Sequence, residues 1–228
     1  MYYSYGLDWI LIISTFVITL GAQAFINSNY KRCKKIKSNR GYTGYDVARK
    51  ILDKNGLKNV DVVEVSGMLS DHYDPKNKIV RLSSDIYNNS SIASISVAAH
   101  ECGHAIQDKN NYLFLRIRSS IVPLVNLSST LGYVAIMIGI FAGAVGFIRL
   151  GIIFELVILL FQLITLPVEF NASRRGLNEI KDLEIADKKE IGNCRKMLSA
   201  AAMTYVASVA TSVLEIIRLL LIAGRDDR

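Results

Sequence analysis

Long apolar runs restrict what this chain can fold into more than anything else in it. Trp9 to Ile26 is nearly unbroken over the length of a membrane-crossing helix, Ile121 to Ile148 and Leu150 to Val168 are a second and a third such run, and Met197 to Gly224 is long enough to be a fourth. In lipid the backbone must satisfy its own hydrogen bonds, so each run has to be helical. With 51% hydrophobic residues and only 9% aromatics, the chain is also more aliphatic than an ordinary soluble domain.

The charge pattern fits that reading. A net charge of +7 raises the question of nucleic acid, but the basic residues gather at the ends of apolar runs and do not alternate with stacking aromatics, so none is expected as a partner. Lys31, Arg32, Lys34, Lys35, Lys37 and Arg40 follow the first run, Arg116 and Arg118 precede the second, and Arg174 and Arg175 follow the third. The positive-inside tendency puts all of these in the cytoplasm and the N-terminus outside. The first run lacks a basic n-region and a small-residue cleavage site, which reads as a retained anchor. The second and third runs read as a hairpin turning at Arg149, with Gly139 and Gly143 at small-xxx-small spacing among Gly132, Gly139, Gly143 and Gly146. Glu215 and Arg218 interrupt the fourth run, so it either crosses with its charges facing a bundle or lies at the interface. If it crosses, a Glu155–Arg218 bridge is expected. Three cysteines, Cys33, Cys102 and Cys194, form no even framework and point to a reducing compartment.

Chemistry enters with His100-Glu101-Cys102-Gly103-His104. Ser90 or Ser91 offers an N-cap, Ile92, Ile95, Ala99 and Ile106 recur at helical spacing, and the polar string Gln107 to Asn111 ends the pattern. On a helix the two imidazoles stand one turn apart and can face one Zn²⁺, while Glu101 can reach a water beside it. Cys102 points away from that face and reads as a small buried hydrophobe. Ala98, Ala99 and Gly103 leave room for close packing.

A catalytic zinc takes a third protein ligand. No histidine follows His104, which leaves a carboxylate or His72 upstream. Glu169 is favoured because it emerges at the cytoplasmic end of the third run, just after Pro167, where the hairpin returns. Glu155, Gln162 and Glu169, spaced by seven, share a helix face, and interhelical contact is the expected role of the first two. Glu179, Asp182 and Glu184 are rivals in a charged helix-like run, Leu177 to Lys189, that reads as a solvated face.

Between anchor and hairpin lies a soluble part. Thr43 begins a short amphipathic helix (Val47, Ala48, Ile51, Leu52) ending at Gly56, and Val60 to Val65 and Ile79 to Leu82 read as strands with Asp74 to Asn77 as a turn. An edge of such a sheet can hold an extended peptide across a metal. His72 is expected either at the site or as a turn histidine bonded to Asp71 or Asp74. Tyr73, Arg174 and Arg175 are further candidate oxyanion contacts, with headgroup snorkelling as the alternative for the arginines.

Three stretches, Leu69 to Pro75, Ala98 to Gln107 and Leu166 to Arg175, together resemble the neutral zinc metallopeptidases of bacterial membranes, the YugP-like proteins, over essentially the whole chain. The resemblance implies a membrane-embedded peptidase of gluzincin type with His100, His104 and Glu169 as ligands, Glu101 as base and one Zn²⁺ per chain. Glu169-Phe170-Asn171-Ala172 is more distantly similar to HtpX-like and CAAX-processing peptidases. Those carry Asp where this chain has Ser173, so Asn171 or another acid would have to support a ligand histidine.

The fold class expected is mainly α, polytopic, with three to four transmembrane helices and a small α+β zincin-like cytoplasmic catalytic part. The expected organisation is an anchor and basic flank (1–40), the α+β part (41–118), a transmembrane hairpin ending at the third ligand (119–170), and a charged helix with a C-terminal span (171–228). The expected function is hydrolysis of peptide bonds in peptide or protein substrates at the cytoplasmic face of a bacterial inner (plasma) membrane, with the lipid bilayer as the other partner. Oligomeric state is left open. Two rivals are a site-2-type intramembrane protease and a zinc-binding scaffold without activity. The polar flanks of the motif and the lack of an Asp-Gly in a later run argue against the first, and an intact Glu101 against the second.

Overall fold

A computed structural model of the chain describes residues 2–67 and 69–224. Among these the order is α1 (Tyr2–Lys35), α2 (Gly44–Lys54), β1 (Asp61–Val65), β2 (His72–Asp74), β3 (Ile79–Ser83), α3 (Ser84–Asn88), α4 (Ile92–Lys109), α5 (Leu113–Ala142), α6 (Val145–Asp182) and α7 (Lys188–Ala223). Four helices are long and apolar enough to cross a membrane: Gly6–Lys35 of α1, α5, α6 and α7. The chain divides into two compact units. One comprises the segment up to Gln23, Ile117–Leu166 and the segment from Met203 on; the other comprises Ala24–Arg116 and Pro167–Ala202.

The first unit is built almost wholly from spanning helices and turns large apolar side chains outward, Trp9, Phe16 and Phe141 among them. Water would penalise that surface and lipid would not. The hairpin between α5 and α6 turns at Gly143 and not at Arg149, which lies inside α6. Gly143 has φ +65°, a backbone state open to glycine, and the Ala144 N–H closes the turn on the Gly139 carbonyl at 3.0 Å. Arginine is an ordinary helix former, and its charge alone does not stop a helix. Gly143 is thereby spent on the turn and not on packing. The close approach between α5 and α6 comes instead from Gly132 and Gly139 on α5 and Gly151 on α6, where added Cβ atoms would meet Phe154, Ile148 and Ile136 at 2.9, 2.5 and 2.4 Å. α7 is one uninterrupted helix through Glu215 and Arg218. The expected Glu155–Arg218 bridge is not formed: Arg218 binds Glu215 one turn away with two nitrogens, its Nε at 2.9 Å from Oε2. A pair at i and i+3 on one helix neutralises itself without a second helix.

The second unit gathers a hydrophobic core around α4. Ser91 caps that helix, its side chain accepting from the Ser94 N–H, and Ile92, Ile95, Ala98, Ala99, Cys102, Ala105 and Ile106 are buried along it. Each fully buried isoleucine contributes about 1.5–3 kcal/mol. Chain from the end of α1 pairs with the start of α4: the Ser38 N–H donates to the Ser90 carbonyl at 2.8 Å and the Ile92 N–H to the Ile36 carbonyl at 2.9 Å. α2 packs on α4, with the Cys102 thiol 3.6 Å from the Ala48 carbonyl. A capping box starts α2, in which the Thr43 hydroxyl accepts from the Asp46 N–H and the Asp46 carboxylate accepts from the Thr43 N–H. Thr43→Ala should lower stability by about 1 kcal/mol in denaturant unfolding, because the Asp46 N–H loses its acceptor.

The sheet has the order β1-β3-β2, with β1 parallel and β2 antiparallel to β3. Asp74 organises the turn, accepting from the Lys76 and Asn77 N–H groups. His72 is a strand residue and not a turn residue, and its bonds are not to Asp71 or Asp74. Its Nδ1 lies 2.8 Å from the Ser70 carbonyl, while Asp71 accepts from Ser83 and Asp74 binds Arg81. A three-residue strand is too short for its alternation to show in sequence.

The run Leu177 to Lys189 is not a solvated helix of its own. α6 continues to Asp182, Glu184 takes φ +50° in the connection, and Ile180 and Ile185 are fully buried in the core. Its acidic residues are engaged elsewhere: Glu179 and Asp182 with Lys54, and Glu184 with Arg40.

Candidate metal centre

The centre starts from helical geometry. His100 and His104 are one turn apart on α4, their ring centroids 4.8 Å apart and their planes at 86°. On α6, Oε2 of Glu169 stands 3.3 Å from Nε2 of His100 and 3.6 Å from Nε2 of His104. The three side chains form a group whose ligand atoms all lie within 4.8 Å of one another. Glu169 and His104 are buried, and His100 is partly so.

This donor set fits a zinc ion. Bonds of about 2.0–2.2 Å in a tetrahedron separate donor atoms by roughly 3.3–3.6 Å, the spacing of the Glu169 oxygen from either ring. Two imidazoles and one carboxylate also leave a fourth position open, as a catalytic site requires.

Glu169 reaches α4 because the two helices touch backbone to backbone. A Cβ on Gly103 would lie 2.3 Å from the Ala172 carbonyl oxygen, and one on Gly176 would lie 2.5 Å from that of Ala99. Only glycine permits that approach at either position.

The remaining ring nitrogens are held by neighbours. His100 Nδ1 lies 3.0 Å from the Ser173 hydroxyl. His104 Nδ1 lies 3.0 Å from Oε1 of Gln107. Gln107 donates from Nε2 to the Val168 carbonyl (2.7 Å) and to Asn171 Oδ1 (3.0 Å), which also accepts from Arg175 Nε at 2.7 Å. Asn171 therefore bonds a glutamine and neither of the two clustered histidines. Gln107 is the residue beside this cluster that sequence reading missed, taken there as the first of a terminal polar string although it is fully buried. Its position three after His104, on the same helix face, was the available signal.

Glu101 is 7% exposed. Burial pushes its carboxyl up to about 7; the positive field at His100 and a backbone bond from Tyr73 oppose that, while the charges of Glu169 and Asp71 add to it. The Tyr73 hydroxyl is committed to Asp108 Oδ2 at 2.7 Å, tying β2 to the last turn of α4, where Lys78 joins the same carboxylate. His72 is exposed and faces Arg81, its Nε2 3.4 Å from Nη1, outside the three-residue cluster. Arg174 is exposed on α6. Burial raises the Cys102 thiol well above its ordinary range, in keeping with a packing residue and not a ligand.

Residues 8–224 match the family model described as "Putative neutral zinc metallopeptidase". The chain is 42% identical over 219 residues to a curated protein of Bacillus subtilis (strain 168) named "Putative membrane protease YugP", a similarity covering 95% of this chain and 97% of that relative. No solved structure matches it. Since the family match runs through nearly the whole length and contains all three clustered side chains, the chain belongs to the family described as "Putative neutral zinc metallopeptidase".

Proposed function

We infer that the chain is a membrane zinc endopeptidase of gluzincin type, with His100, His104 and Glu169 as ligands and Glu101 as general base. The carrying observation is the Glu169 carboxylate at 3.3 and 3.6 Å from two imidazole nitrogens, in a member of a zinc metallopeptidase family. Zinc, when bound, supplies a Lewis acid that polarises a carbonyl and makes water more acidic. Glu101 takes the proton from the attacking water and returns it to the leaving amine. Its bond from the Tyr73 N–H links the base to β2, the outer strand of the sheet. An extended peptide adding to that strand by backbone hydrogen bonds would present its scissile bond beside Glu101, which supports a zincin-like plan for this half of the chain.

The reaction is placed at the cytoplasmic face of the inner membrane. The basic groups after α1, ahead of the apolar part of α5, and on α6 beyond Glu169 support that orientation. Peptide or protein substrates near the membrane surface follow from it.

Metal analysis and cleavage of a peptide library by detergent-purified protein test the reading together. About one zinc per chain and metal-dependent cleavage are expected. Glu169→Ala should weaken zinc binding by roughly a hundredfold or more, beyond the 10–100-fold typical of outer partners, and abolish cleavage. Full zinc loading in that variant would place the third ligand elsewhere. Cleavage confined to the membrane-buried part of a substrate would favour the site-2-type plan.

A further inference from the structure

The hydrogen-bond chain behind His104 has a fixed direction. Arg175 can only donate, so the Asn171 atom facing it is the carbonyl oxygen. The Val168 carbonyl can only accept, so the Gln107 atom facing it is the amide nitrogen, and the same nitrogen donates to Asn171. Both amide hydrogens of Gln107 are thereby used on α6, and the atom left facing His104 Nδ1 is Oε1, an acceptor without a proton. Nδ1 of His104 must then carry the hydrogen. In the neutral ring Nε2 then keeps the lone pair, on the side of Glu169 Oε2 at 3.6 Å. Opposite His100 stands the Ser173 hydroxyl, which can donate or accept and sets no such direction.

We propose that Gln107, backed by Asn171, Val168 and Arg175, is a positioning residue that locks His104 in its Nδ1–H tautomer, so that its Nε2 is ready for zinc before the metal arrives. This rests on the functional reading above for the identity of the metal. The lock itself belongs to the metal-free chain. Without it the ring would divide between two tautomers, one with a hydrogen on the ligand nitrogen, and zinc binding would have to displace that proton.

The chain has three histidines, so ¹⁵N-histidine labelling of the metal-free protein in detergent micelles gives three imidazoles, and His72→Gln identifies one. Long-range proton–nitrogen correlations, read on the neutral ring, should show His104 as a single Nδ1–H form. A mixture, or the Nε2–H form, in the parent protein overturns the proposal without any variant. Gln107→Leu should give a mixture and lower zinc affinity by about 10–100-fold in competition with a chelating dye. Gln107→Glu keeps an oxygen toward His104 while giving up amide donation to α6, so it should hold the single form and stay within about threefold of the parent's affinity, well short of that range. If Gln107→Glu falls as far as Gln107→Leu, the residue acts only by joining α4 to α6 and the proposal fails. Peptide cleavage is not read in either arm. Failure of the lock therefore leaves the peptidase reading standing, and a parent protein that binds no zinc defeats that reading while the tautomer result still stands.

Discussion

Glu101→Gln is expected to retain a full complement of zinc and to lose about 10²–10⁴-fold in turnover, the usual contribution of a positioned acid–base group. The replacement is nearly isosteric in a side chain only 7% exposed, and its amide oxygen can still accept from the Tyr73 N–H. Only the ability to take up and release a proton disappears. Metal content and fluorogenic peptide cleavage, measured on the same preparation, check both halves. A variant that cleaves as fast as the parent puts the base on another residue. A parent that binds zinc but cleaves nothing fits the scaffold reading.

Gly103→Ala should be nearly as damaging although it removes no chemical group. The new methyl would start 2.3 Å from the Ala172 carbonyl oxygen, backbone against backbone, so α4 and α6 must separate. Overpacking of that kind costs about 1–3 kcal/mol. It also carries Glu169 away from the two rings, and zinc affinity should fall by roughly 10–100-fold, as when a ligand loses its supporting contacts. Gly176→Ala, 2.5 Å from the Ala99 carbonyl oxygen, should act in the same direction. Gly192→Ala serves as the control. It lies within α7, nothing stands within 4 Å of its added Cβ, and the change should be neutral or stabilising by up to about 1 kcal/mol. Thermal unfolding and zinc competition on the three variants separate these outcomes. Equal behaviour of Gly103→Ala and Gly192→Ala would mean that the close approach does not govern the centre.

What could be read in the sequence was what repeats locally. The Ser91 cap, the limits of α2 and the apolar runs each follow from a few adjacent residues, and the one-turn spacing of His100 and His104 is itself a geometric statement. Glu169 could be reached because a hairpin returns near its start, a coarse constraint that survives an error in the turn. That error arose because Arg149 is conspicuous by charge, whereas the chain turns on the backbone freedom of Gly143. Ile180 and Ile185 were hidden by the charges around them, since a run of mixed charge with sparse isoleucines looks solvated until another element covers it. The bonds of Gln107 and Ser173 across to the other helix were harder to read for a different reason. A polar residue announces nothing about burial, and their partners lie 61 and 73 positions away.

The junction between the first spanning helix and the motif helix bears on how this protein can be handled. Tyr30 and Cys33 of α1 are buried with α4, and the Ile36 carbonyl receives the Ile92 N–H at the first turn of α4. Cys194 and Met197 of α7 enter the same core. Trimming the greasy helices to obtain a water-soluble fragment would therefore open the interior that holds the histidines. The end of the first long helix is at once a tether and an inner wall of this core.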